Sequence, residues 1–141
     1  MTKQMPSDNA LTLLCLDLEA GSEALIDHAV QRANRCGDTI HMLHVTHAGQ
    51  DEQTCEFIRD KLEQLVKRHT VQGTPLSTEI RFGTPEEEIP ALAAELGASI
   101  IILGRRRRSD VERIYVGSTT SAVISDAPCA VLVVPLTRKD K

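Results

Sequence analysis

The chain of 141 residues has no tryptophan, one tyrosine and two phenylalanines. Single-strand nucleic-acid modules stack bases on aromatic faces, so this scarcity argues against that class. Any core must be aliphatic. The four cysteines, Cys15, Cys36, Cys55 and Cys129, include no C-x-x-C pair. They read as small buried hydrophobes rather than a disulfide framework or a zinc knuckle. Long apolar runs are also missing. The longest, Ile100–Gly104 and Cys129–Leu136, fall far short of the ~20 residues a membrane helix needs. Met1–Ala10 lacks the apolar stretch of a signal peptide. The expectation is a soluble cytosolic protein. Excess positive charge is absent too: the net charge is −4, which disfavours bulk nucleic-acid binding.

Hydrophobic residues make up 41% of the chain, and their periodicity alternates. Leu11–Asp17 is a short apolar run ending in an acid, a buried strand by pattern. Ser22–Cys36 places Leu25, Ala29, Ala33 and Cys36 on one helical face, with Gly37 as a stop. Asp38–Val45 reads as a second strand. Glu52–Thr70 is an amphipathic helix with Ile58, Leu62, Leu65, Val66 and His69 on one side. Ser77–Phe82 is a third, more polar strand. In Gly83-Thr84-Pro85-Glu86-Glu87, Thr84 is positioned to cap a helix, Pro85 suits its first position and Glu87 completes a capping box. Pro90 implies a kink or a regular helix beginning there; Gly97 closes it. Ser99–Gly104 is apolar on both alternating faces, as in a central parallel strand. Arg105–Val116 reads as a polar loop, Thr119–Ser125 as a short helix and Cys129–Pro135 as a fifth strand.

Strand and helix thus alternate four times before a last strand. That order implies one α/β domain: an open, doubly wound, parallel five-stranded sheet with helices on both faces. Its core spans about 11–136, with flexible ends at 1–9 and 137–141. In such sheets ligands bind beyond the carboxyl ends of strands, where the winding reverses. Two strand ends carry suitable chemistry. One is Asp17. The other is Gly104, whose following loop leads to Gly117-Ser118-Thr119-Thr120-Ser121, a glycine and hydroxyls at a helix start, suited to anions. Asp17 also suits a plain turn, and Ser118 and Thr119 suit ordinary caps.

At these residues the sequence resembles the universal stress protein family. The family signature is Gly, two residues, Gly, nine residues, Gly, then Ser or Thr. Here Gly104 matches the first glycine, Gly117 the third and Ser118 the hydroxyl, while Arg107 stands at the second glycine. The block G-S-T-T-S-A-V-I-S-D-A-P-C-A-V-L-V-V-P is similar to the family's C-terminal segment, and the likeness runs from about Leu11 to Pro135. The resemblance implies strand order 3-2-1-4-5, a homodimer, and in some members binding of ATP or AMP, with Mg2+ accompanying ATP; other members bind no nucleotide. In binding members the acid after the first strand contacts adenine, a small apolar residue after the second lines the base pocket, and the glycines and hydroxyl hold ribose and phosphates. Carried onto this chain, the site residues are Asp17, Val45, Leu103, Gly104, Arg107, Gly117, Ser118 and Thr119. The chain departs in two places. Arg107 adds bulk and charge where the backbone should approach phosphate. Glu19, in Asp17-Leu18-Glu19-Ala20-Gly21-Ser22, is unfavourable beside an anion.

Two functions follow: a nucleotide-binding sensor or regulator of the stress response, or a dimeric interaction module without nucleotide. The run Arg105–Arg108 offers phosphate contacts, but Asp110 and Glu112 follow at once, so a nucleic-acid partner is disfavoured. No Ser–His–acid or Cys–His pairing stands out, so slow ATP turnover is the most that catalysis amounts to. His41, His44 and His47 do not share one strand face, and His28 and His69 read as surface or half-buried helix residues. The fifth strand is flat and apolar. As a sheet edge it calls for cover, which a two-fold partner strand supplies.

Overall fold

A computed structural model describes residues 10–19, 21–47, 49–70, 73–106 and 118–136. Its elements are β1 (Leu11–Cys15), α1 (Ser22–Cys36), β2 (Thr39–Thr46), α2 (Glu52–Thr70), β3 (Leu76–Phe82), α3 (Pro85–Leu96), β4 (Ile100–Arg106), α4 (Ser118–Asp126) and β5 (Ala130–Leu136). All strand pairs are parallel. The sheet order is β3-β2-β1-β4-β5, as the resemblance implies. The expected flexible ends, Arg107, Gly117 and most of the Arg105–Val116 segment lie outside the described residues.

The period-two alternation of the strands divides the core into two layers. Leu14, Ile40, Met42, Ile102 and Val134 pack with Leu25, Ile26, Ala29 and Val30 of α1 and Ile58 and Leu62 of α2. Leu13, Leu43, Ile101 and Leu103 pack on the opposite face with Ile89, Leu92 and Ala93 of α3 and Val123 of α4. Burying each large aliphatic side chain stabilises the fold by roughly 1.5–3 kcal/mol. A buried carboxylate, Asp38, directly precedes β2. Asp38 accepts from the Thr12 hydroxyl at 3.1 Å and from Arg32 at 2.9 Å.

Several local expectations are corrected. Cys36 is exposed, and only Cys55 of the four cysteines is fully buried; the buried face of α1 carries Ile26 and Val30 beside Leu25, Ala29 and Ala33. His69 is buried, with Glu23 and Asp27 at 3.4 and 3.3 Å. Thr84 makes no side-chain cap. Its backbone carbonyl accepts the N–H groups of Glu87 and Glu88, at 3.1 and 2.9 Å, so the helix start is held by the main chain. The Glu88 carboxylate instead receives Arg81 Nε at 3.1 Å. α3 runs through Pro90 rather than starting there.

β4 does not stop at Gly104. Register pairs Arg105 with Pro135 and Arg106 with Leu136, extending the strand by two residues, and Arg105 is buried. Gly104 is therefore a strand residue rather than a turn residue. It lacks a side chain because a Cβ there would lie 2.7 Å from Leu136 Cδ1 and 3.2 Å from Leu25 Cδ2.

Candidate functional site

The chain leaves β1 for α1 on one face of the sheet, and leaves β4 for α4 on the other. Adjacent parallel strands whose connections diverge leave a crevice at their carboxyl ends. A cavity of about 300 Å³ occupies it, lined among others by Leu16, Asp17, His44, Val45, Leu103 and Thr119. That volume is at the lower end for small-molecule sites.

The walls are aliphatic, with Leu16 and Leu25 on the α1 side and Leu43, Ile89 and Leu103 on the α3 side. Polar groups sit at the rim. Asp17 is exposed, and its Oδ1 accepts the Glu19 N–H at 2.9 Å, closing a turn of the Asx type. Leu18 within that turn has φ 64°, a conformation uncommon for leucine. The Glu19 carbonyl accepts both the N–H and the hydroxyl of Ser22, at 3.2 and 2.9 Å. The turn thus feeds the start of α1, where Ser22 lines the cavity. Thr119 and Thr120, in the first turn of α4, line it on the other side. N–H groups of a helix's first turn and its dipole favour an anion at that end.

Of the residues singled out from sequence, Asp17, Val45, Leu103, Gly104 and Thr119 come together in this cavity. Ser118 is exposed at the start of α4 and does not line it; the next two residues, Thr119 and Thr120, half-buried and buried, line it instead. Arg107 and Gly117 lie outside the described residues. Glu19 does not line the cavity; it lines a separate groove between α1 and α2 with Lys61 and Arg68.

Sequence reasoning missed Cys15, Ser22, His44 and Leu136 as lining residues. Burial pushes the Cys15 thiol well above the ordinary thiol range. His44 Nδ1 lies 2.9 Å from the Leu16 carbonyl oxygen. A carbonyl only accepts, so Nδ1 carries the hydrogen. The period-two rule places His44 on the opposite face to Val45 but does not name its partner. Among the described residues no group of three or more His, Cys, Asp or Glu side chains is placed to hold a metal. No helix of the described residues is long and apolar enough to cross a membrane.

Comparison with known proteins agrees with this architecture. The sequence model of the universal stress protein family matches residues 12–135. Universal stress protein G of Escherichia coli O157:H7 is 30% identical over 127 residues, covering 80% of this chain and 88% of that protein. The protein SH1215 of Staphylococcus haemolyticus is 41% identical over 90 residues, 60% of this chain; the match spans about half of that relative, 54% of its length. Among solved structures, the hypothetical protein MJ0577 superposes with a TM-score of 0.78 at 25% identity, over 91% of this chain and 96% of that one. The universal stress protein from Archaeoglobus fulgidus in complex with dAMP gives 0.73 at 18% identity, over 89% and 97%. The chain belongs to the universal stress protein family.

Proposed function

We propose that this protein is an adenine-nucleotide-binding sensor or regulator in the stress response, acting as a cytosolic homodimer. The observation that carries the nucleotide reading is the cavity at the β1/β4 switch point, which gathers Asp17, Val45, Leu103, Gly104 and Thr119. Its chemistry fits the ligand in parts. The aliphatic walls from Leu16, Leu25, Val45 and Leu103 suit a flat base. The Asp17 carboxylate accepts from an exocyclic amino group. The first turn of α4, with the Thr119 and Thr120 hydroxyls, suits phosphate. Mg2+, where ATP is the ligand, travels with its phosphates. The Archaeoglobus fulgidus relative bound to dAMP supports the same ligand class for this fold.

The homodimer is supported by β5. It is an edge strand of the sheet, and Leu132 on it is 39% exposed. A copy of the same strand across a two-fold axis covers such an edge.

The second reading, a dimeric interaction module without nucleotide, is favoured by Arg107 at the position of the family's second glycine. Thermal unfolding with and without ligand separates the two. A ligand that binds only the folded state raises the melting temperature, increasingly so as its concentration exceeds the dissociation constant. Millimolar AMP or Mg-ATP should raise it for the wild type and not for Gly104→Val. Equal melting with and without nucleotide supports the interaction module.

A further inference from the structure

The parallel pairing of β1 with β2 proceeds by alternate residues of β2. Thr39 N–H donates to the Ala10 carbonyl at 3.0 Å, and Leu16 N–H donates to the Leu43 carbonyl at 2.9 Å. In this register the next rung would run from the Val45 N–H to the Leu16 carbonyl. Among the described residues that rung is absent. The Leu16 carbonyl receives His44 Nδ1–H at 2.9 Å in its place. Val45 is also a lining residue of the cavity, and Leu16 directly precedes Asp17.

We infer that His44 is a positioning residue of the binding site: its imidazole, bonded to the Leu16 carbonyl, stands where the next rung would close and so keeps the Val45 main-chain N–H out of the ladder, available to an acceptor on the ligand. The physical reason is the cost of leaving a main-chain donor without a partner. With the carbonyl open, the Val45 N–H closes onto it and the cavity loses a donor. With the imidazole in place, the donor is satisfied by water in the free protein and by a ring nitrogen in the complex. The bond also anchors the chain just before Asp17, so the donor and the carboxylate are held in fixed relation. The identity of the ligand as an adenine nucleotide rests on the reading above; the role of His44 in the ladder does not.

Amide hydrogen exchange on the ligand-free protein tests it first. In the wild type the Val45 amide should exchange roughly tenfold or more faster than Leu43 within the ladder. In His44→Leu the rung closes and the Val45 amide should slow by a similar factor. His44→Gln, which offers an amide N–H to the same carbonyl, should restore wild-type exchange. In the second arm AMP should protect the Val45 amide of the wild type, and binding should weaken roughly five- to tenfold in His44→Leu, the worth of about one hydrogen bond. A 1-deaza, 3-deaza or 7-deaza AMP that lacks the accepting ring nitrogen should lose affinity for the wild type and not for His44→Leu. Slow Val45 exchange in the ligand-free wild type overturns the inference, and so does an unchanged rate in His44→Leu. If His44→Leu fails to fold, the wild-type rate and His44→Gln decide it. Absence of AMP binding with fast Val45 exchange contradicts the nucleotide reading and upholds the part played by His44.

Discussion

Gly104 and Leu136 meet so closely across β4 and β5 that a Cβ on the glycine would stand 2.7 Å from Leu136 Cδ1. Both residues line the cavity. The contact has consequences for stability and for binding. In Gly104→Ala, Leu136 and Leu25 must both give way, at a cost of about 1–3 kcal/mol. Gly104→Val adds bulk at the cavity wall as well. It should retain the fold with a lowered melting temperature, by circular dichroism, and lose nucleotide binding by more than roughly tenfold.

Asp38 is the buried charge of the core, held by the Thr12 hydroxyl and Arg32. Asp38→Ala leaves Thr12 without its acceptor and Arg32 without its counter-ion. The expected cost is about 3 kcal/mol in urea unfolding. Asp38→Asn, which keeps an acceptor for Thr12, should cost less. Equal losses would mean that the Thr12 bond contributes nothing.

The elements themselves were legible in the sequence because hydrophobic periodicity marks them directly. Ser99–Gly104, apolar on both faces, is the buried strand it promised to be, and α2 buries the predicted stripe. Boundaries set by tertiary contacts were not legible. Arg105 and Arg106 read as loop by composition, yet β5 supplies register partners for both. The Thr84 capping box did not form: main-chain bonds to the Thr84 carbonyl hold that helix start, and periodicity does not reveal which cap is used. The site was readable where one residue type carries the chemistry, as at Asp17 and Gly104. His44 was not, because its partner Leu16 lies 28 residues away in sequence.

Cys15 gives an alkaline signature. In the native state burial raises its thiol far above the ordinary value, whereas the unfolded chain ionises at about pH 9. Above that pH the unfolded state binds fewer protons than the native state, so stability falls as pH rises. The slope approaches about 1.4 kcal/mol per pH unit. Cys15→Ala should flatten it in urea titrations from about one pH unit below to two above the ordinary thiol value of 9.0. An identical slope in the variant would mean that other groups cause the alkaline loss.

Glu79 gives the acid counterpart. Its burial acts to raise its pKa, but the hydrogen bonds and charges of His41 and Arg81 prevail and the net shift is downward. Its contribution to stability is therefore present above the ordinary carboxylate value of 4.5 and is lost as pH falls below it. Glu79→Gln should reduce the acid sensitivity of unfolding. No change between the two proteins below that value would remove Glu79 from the account.

Val133 lies half-buried on the edge strand β5. If β5 is the dimer interface, Val133→Lys places a charge within it. Sedimentation should show the wild type as a dimer and the variant shifted towards monomer, while thermal unfolding stays cooperative. An unchanged mass would exclude β5 as the interface.

The most direct measurement is a calorimetric titration of nucleotide-stripped protein with AMP, ADP and Mg-ATP in parallel. The account predicts saturable binding of at least one nucleotide, weakened in Asp17→Ala and lost in Gly104→Val. No binding of any nucleotide by the folded wild-type protein would contradict it.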